Sequence, residues 1–134
     1  MNDVRDYFMR KNFAAKTLLM LGLISGYAHS AETVCEGKVD QLVFHADNSF
    51  LLKLSSMNTA VFFCNPETVW TAPGTPYTTG KETCKMLYST FLSAQMAGKS
   101  LSAVYFDGDD SKGNCQSFPS WGKVNIRHFV LTGN

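Results

Sequence analysis

The chain contains four cysteines, and all of them follow an apolar N-terminal stretch: Cys35, Cys64, Cys84 and Cys115. Residues 1–16 carry four basic side chains, residues 17–28 are mostly apolar, and a small-x-small site lies at residues 28–30. This is the pattern of a secretory signal peptide. The apolar run is shorter than the roughly 20 residues of a spanning helix, which argues against an uncleaved membrane anchor.

We therefore expect a signal peptide over residues 1–30 and one exported domain over residues 31–134. In an oxidising compartment the four thiols are expected to form two structural disulfides. They show no C-x-x-C spacing, which argues against a zinc site or a thioredoxin-like site. After residue 30 the chain carries eight Lys or Arg and nine Asp or Glu. This near-neutral balance argues against a nucleic-acid partner. The exported domain has no further apolar run long enough to suggest a membrane span.

Five segments of the exported domain have strand patterns. Residues 38–46, 50–54 and 59–64 are rich in β-branched and aromatic side chains and are separated by short polar turns. Such spacing predicts an antiparallel meander. Residues 100–106 and 123–131 alternate in the same way and predict two further strands.

A helix is predicted between the third and fourth strands. Thr79 and Glu82 match a capping box, and Gly98 is a suitable terminator. Between them, apolar or core-facing positions recur with helical spacing: Cys84, Leu87, Tyr88, Phe91, Leu92 and Gln95. A role for this helix in binding a partner is the alternative to packing on the core. Residues 65–78 contain three prolines and predict an irregular loop, which Trp70 would pin to the domain.

The resulting order of strand, strand, strand, helix, strand, strand is that of an OB-fold, a five-stranded Greek-key barrel that is mainly β with one helix. An α+β sheet with a helix packed across it is the alternative. Sequence alone allows three cysteine pairings. In the barrel, the third strand ends near the helix start, and the first strand begins beside the end of the fourth. This topology predicts the disulfides Cys64–Cys84 and Cys35–Cys115.

No catalytic or cofactor motif occurs in the sequence. H-E-x-x-H, G-x-S-x-G and P-loop patterns are missing, so we expect no enzymatic activity, no cofactor and no metal. His45 and His128 both lie in strand patterns, which favours ordinary strand positions over a metal pair or a catalytic base. Residues 107–114 superficially resemble a calcium loop, but the EF-hand positions for Gly and the final carboxylate hold Lys112 and Phe118. A solvated hairpin loop is the better interpretation.

Aromatic side chains are the best candidates for ligand contact. OB-folds bind oligosaccharides or oligonucleotides on one strand face and the adjoining loops, and the near-neutral charge favours sugar. The candidate glycan contacts are Trp121, Tyr105 and Trp70, of which Trp121 lies in a loop that enters the last strand.

Several segments resemble one family in their order and spacing. They are residues 37–40 (Gly-Lys-Val-Asp), 60–64 (Ala-Val-Phe-Phe-Cys), 69–73 (Val-Trp-Thr-Ala-Pro), 87–91 (Leu-Tyr-Ser-Thr-Phe) and 98–101 (Gly-Lys-Ser-Leu). Together they resemble the B subunit of subtilase cytotoxin and its relatives, which are exported bacterial OB-fold proteins. The resemblance covers about residues 37–106. It implies a ring of five identical subunits, recognition of glycans that end in sialic acid, and an enzymatic A-subunit partner.

The chain departs from this family at two points. Only six residues precede the first matched segment after cleavage, so the family's sialic-acid pocket is not carried over. Of the cysteines, only Cys64 matches. We therefore expect an exported, periplasmic or secreted, non-catalytic module that binds glycans. A periplasmic inhibitor or protein-interaction module without sugar binding is the alternative.

Overall fold

A computed structural model describes residues 32–132 of the chain, so the predicted signal peptide lies outside the described residues. The described elements are β1 (Thr33–Phe44), β2 (Phe50–Leu54), β3 (Val61–Cys64), β4 (Trp70–Thr71), β5 (Thr78–Thr79), α1 (Lys81–Met96), β6 (Ser100–Asp107) and β7 (Asn125–Val130). The fold is mainly β with one helix, as predicted. Within residues 32–132, no helix is long and apolar enough to cross a membrane.

The long strand β1 organises the main sheet, whose strand order is β3-β2-β1-β6-β7. Its second half pairs antiparallel with β2, and its first half pairs antiparallel with β6. The pairing shifts register between Cys35 and Gly37, and Gly37 has a φ of 119°. Glycine adopts this conformation without a Cβ clash, so a bulge here allows β1 to bend from one half of the sheet to the other. β1 begins at Thr33, five residues before the predicted start.

The edge strand β3 meets the segment that leads into the other edge strand, β7, at an isolated parallel bridge between Phe62 and Lys123. The Phe62 N–H donates to the Gly122 carbonyl at 2.8 Å, and the Val124 N–H donates to the Phe62 carbonyl at 3.0 Å. This contact brings β3 beside the start of β7, the pairing that curls a five-stranded OB sheet. The fold is therefore of the OB type, although no continuous ladder closes the barrel.

Helix α1 covers the core through one face, with Cys84, Leu87, Phe91 and Ala94 buried. It ends as predicted, with Gly98 in the left-handed region at a φ of 64°. The predicted capping box is wrong: Gly80 is the N-cap, and no side chain caps the helix. The hydroxyl of Thr79 instead donates to the Asn125 side chain at 2.6 Å in the interior. A buried amide oxygen that lost this donor would be costly, so the tertiary partner prevails over the local cap.

The proline-containing loop holds a small ribbon that the sequence did not predict. β4 and β5 pair antiparallel and cover the gap between β3 and β7. Trp70, in β4, is only 8% exposed, and its indole N–H donates to the Val124 carbonyl at 2.8 Å. This confirms that Trp70 pins the loop to the domain.

An ion pair ties the end of β6 to β7. Asp107 is buried, and its two carboxylate oxygens accept from Arg127 Nε at 2.8 Å and Nη2 at 3.0 Å. The hydrogen bond from the guanidinium to Asp107 raises the pKa of Arg127. The start of the predicted solvated loop is therefore not solvated, because a buried carboxylate requires such a partner.

Both disulfides are those that the strand order predicts. Cys64–Cys84 joins the end of β3 to α1, and Cys35–Cys115 joins the start of β1 to the loop after β6. These bonds and the β-rich fold are compatible with an oxidising compartment.

We predict that the longer disulfide stabilises the domain more. The loss on replacing both cysteines by Ala should be about 3 kcal/mol for Cys64–Cys84, which closes 20 residues, and about 4.5 kcal/mol for Cys35–Cys115, which closes 80. The reason is that cross-linking a longer loop removes more entropy from the unfolded chain. Equilibrium unfolding in urea measures both losses. A greater loss without Cys64–Cys84 would contradict the prediction.

Candidate ligand-binding surface

Trp121 is the large aromatic side chain that the domain leaves most open to solvent. It is 64% exposed, and its backbone has a φ of 63°, in the left-handed region. A bulky residue rarely adopts this conformation, because its Cβ approaches the neighbouring carbonyl. The Gly122 N–H donates to the Pro119 carbonyl at 3.1 Å, which closes the tight turn around Trp121. The domain thus holds an exposed indole on a strained backbone, a combination that suggests a functional position.

Three aromatic rings from distant parts of the chain form one cluster, which we name the Trp121 patch: His45, Phe62 and Trp121. The Trp121 ring stacks on Phe62 with centroids 5.9 Å apart and planes at 29°. His45 meets both rings edge-on, at 5.4 Å from Phe62 and 5.7 Å from Trp121. The buried Phe62 ring supports the indole from below, so one face of Trp121 remains for a ligand.

The face of the sheet beneath the Trp121 patch is itself buried, with Leu51 only 5% and Phe62 6% exposed. Val43 pairs with Leu51, and Leu51 pairs with Phe62, so their side chains lie on the same face. The neighbouring row, Leu42, Leu52 and Val61, faces the core, where Leu52 and Val61 are fully buried. The Trp121 patch therefore lies on the face of β2 and β3 and the adjoining loops, where OB-folds bind their ligands.

Polar groups border the Trp121 patch. The Asp47 carboxylate lies 3.0 Å from His45 Nδ1 and accepts from the Ser49 N–H at 3.0 Å. The backbone hydrogen bond from Ser49 is the main cause that lowers the pKa of Asp47, and the side-chain hydrogen bond to His45 is the second. Asn65 donates to the Asp47 carbonyl at 3.1 Å, and Asp110 accepts from the Lys123 N–H at 2.8 Å. The border is thus rich in carboxylate and amide groups.

The other two predicted glycan contacts do not join this patch. Tyr105 stacks on His128 at 3.7 Å in the half of the sheet made by β1, β6 and β7. Trp70, which was predicted to contact a glycan, instead has a buried ring, and its indole N–H donates to the Val124 carbonyl. Of the three candidates, Trp121 is exposed, Tyr105 is half-buried and Trp70 is buried.

Sequence reasoning missed His45 and Phe62 as members of the site. His45 was expected to be an ordinary strand residue, and Phe62 an apolar strand residue. The available signal was the alternation of β3, which places Phe62 on the face opposite Val61. The contact of His45 with a residue 76 positions later has no local sequence signal.

The described part of the chain offers neither a free thiol nor a cluster of metal-binding side chains. All four cysteines are in disulfides, and among residues 32–132 no group of three or more His, Cys, Asp or Glu side chains could hold a metal ion. What the Trp121 patch offers is an aromatic platform with hydrogen-bond acceptors at its border, which is suited to non-covalent binding.

Comparison with known proteins found no relative: no family model, no curated protein and no solved structure matches the chain. The resemblance to the subtilase cytotoxin B subunit therefore rests on the matched segments alone. The function must be inferred from the geometry of the Trp121 patch.

We predict that glycine at position 121 gives a more stable domain than alanine. Both Trp121→Gly and Trp121→Ala lose the stacking on Phe62, but glycine alone tolerates the left-handed backbone. The expected difference is about 1 kcal/mol in the free energy of unfolding. Urea unfolding of the two variants measures it. Equal stability, or a more stable alanine variant, would show that the turn at Trp121 carries no backbone strain.

Proposed function

We propose that the chain is an exported, non-catalytic binding module that recognises glycans through the Trp121 patch. The observation that carries the proposal is the exposed Trp121 ring, held on a strained backbone and stacked on the buried Phe62 of β3. Exposing a large apolar ring on a strained backbone lowers stability, so the arrangement is best explained by a ligand that covers the ring.

A sugar fits this surface for two physical reasons. A pyranose ring has an apolar face of C–H groups that can pack against an indole, whose own face is apolar and electron-rich. The same sugar carries hydroxyl groups around its edge, which need hydrogen-bond partners next to that platform. Asp47 and Asp110 supply acceptors at the border of the Trp121 patch. The near-neutral charge of the domain agrees with a ligand other than nucleic acid.

Oligomerisation and a partner chain are part of the proposal through the family resemblance alone. A ring of five identical subunits would present five copies of the Trp121 patch on one assembly, and simultaneous binding would raise a weak affinity for each site. An enzymatic A subunit would then be carried to a glycan-bearing cell surface. In this proposal the protein is periplasmic or secreted.

The alternative proposal is a periplasmic inhibitor or interaction protein that binds another protein and no sugar. The exposed face of α1 favours it, since Met86 is 63% exposed and Met96 is 81% exposed. Methionine side chains adapt to irregular partner surfaces. The two proposals place the binding surface on different parts of the domain and can be separated by mutation.

We predict that Trp121→Ala lowers glycan affinity about tenfold or more, equivalent to ~1.4 kcal/mol, because the stacking platform is removed. Tyr105→Ala is the matched control, since it removes the other aromatic candidate from the outer face of the sheet. A glycan array identifies ligands, and isothermal titration with a monovalent oligosaccharide measures the affinities.

Binding of no glycan by the folded wild-type domain would refute this proposal and favour the interaction protein. An equal loss in the two variants would remove the Trp121 patch as the site. For the alternative, Met86→Ala together with Met96→Ala should abolish capture of a partner from an envelope extract while leaving glycan binding unchanged.

A further inference from the structure

Asp110 presents an unused acceptor beside Trp121. Its Cβ lies 3.4 Å from where a Cβ on Gly122 would be, so the side chain packs against the residue that follows Trp121. Its Oδ2 accepts from the Lys123 N–H. Its Oδ1 has no protein partner within residues 32–132. The backbone hydrogen bond fixes the carboxylate and leaves one oxygen for a ligand.

Asp47 presents a second acceptor on the other side of the patch. Its Oδ1 is held by the Ser49 N–H and by His45 Nδ1, while its Oδ2 has no partner in the described chain. The same hydrogen bonds lower the pKa of this carboxyl, so it is ionised at neutral pH and accepts hydrogen bonds without donating any.

Two of the cationic side chains on the elements around the patch are engaged elsewhere. Lys53, on β2, lies 3.9 Å from the Asp40 carboxylate, and the Lys123 amino group lies over the buried Trp70 ring at 5.9 Å from its centroid. Lys112 is exposed and has no side-chain partner among residues 32–132, and the preceding Ser111 binds Thr33, at the opposite end of β1 from His45. The His45 ring faces Asp47, with Nδ1 3.0 Å from that carboxylate.

Resting on the proposed function, we infer that the Trp121 patch takes an uncharged sugar and rejects acidic sugars. The ring of such a sugar stacks on Trp121, and two of its hydroxyl groups donate to Asp47 and Asp110. Hydroxyl donors match carboxylate acceptors, and hydrogen bonds to an ionised acceptor are stronger than neutral ones. An acidic sugar would bring a third negative charge beside these two carboxylates, and the repulsion selects against it.

This inference differs from what the family resemblance implies, since the matched toxin family recognises sialic acid. The difference agrees with the predicted cleavage after residue 30, which would leave only six residues before the first matched segment, where the family's sialic-acid pocket is formed in part. The two expectations make opposite predictions for one pair of probes: a neutral oligosaccharide and the same oligosaccharide capped with sialic acid.

The test uses the purified exported domain, a panel of neutral oligosaccharides and their sialylated counterparts. We expect neutral members to bind with an affinity that does not change between 50 mM and 500 mM salt, because an uncharged ligand is not screened. We expect Asp110→Asn and Asp47→Asn each to weaken that binding about tenfold. Glu82→Gln on α1, which removes the same charge from an exposed helix site, should leave it unchanged.

The outcomes separate the inference from the proposed function. Tighter binding of the sialylated members, or tighter binding of a neutral sugar by Asp110→Asn than by the wild type, would overturn the inference and leave glycan recognition standing. Binding of neither class by the folded domain would overturn both. Circular dichroism of each variant shows that a lost affinity is not a lost fold.

Discussion

The backbone of Phe62 makes the interaction on which the rest of the structure depends. Its N–H and its carbonyl are both bound to the segment that leads into β7, through Gly122 and Val124. These two hydrogen bonds join the edges of a sheet that otherwise stays open. Trp121 lies in the turn and directly precedes the bonded Gly122, so the contact that curls the sheet also places the indole on the Phe62 ring. Phe62 therefore belongs both to the backbone contact that curls the sheet and to the Trp121 patch.

Neighbouring interactions strengthen the same junction from the inside. The Trp70 indole binds the Val124 carbonyl, and Thr79 binds the Asn125 side chain. The ribbon that carries these two residues is bounded by the Cys64–Cys84 disulfide. The loop between β3 and α1 thus acts as a clamp on residues 124–125 where strand pairing is sparse. A rigid support of this kind suits a binding surface, because a ligand then meets rings that are already in place.

The sequence predicted those features of the fold that arise from local pattern. Alternation located the five sheet strands, helical spacing located α1, and Gly98 marked its end. Strand order then selected the disulfide pairing among three alternatives. The capping box at Thr79 failed because the hydroxyl has a buried partner 46 residues away. The register shift at Gly37 and the ribbon at Trp70 were missed because both depend on contacts between remote segments.

The Trp121 patch was predictable only in part, for a related reason. Composition and fold class predicted that aromatic residues contact the ligand. The sequence alone does not show which of Trp70 and Trp121 is exposed. Burial separates them, and burial is set by which loop covers the gap between β3 and β7. His45 joins the surface only because the turn after β1 meets the loop before β7. The carboxylates at the border of the Trp121 patch likewise come from Asp47 and Asp110, which lie far apart in the chain.

The central claim is that Trp121, rather than Trp70, meets the ligand. The chain has two tryptophans, so a ¹H–¹⁵N spectrum of residues 31–134 contains two indole N–H signals, which Trp121→Phe assigns. Titration with an array-selected oligosaccharide should shift the Trp121 signal in a saturable way and leave the Trp70 signal in place, since that N–H is bound to Val124. A saturable shift of the Trp70 signal alone, or of neither signal while the oligosaccharide binds, would contradict the account.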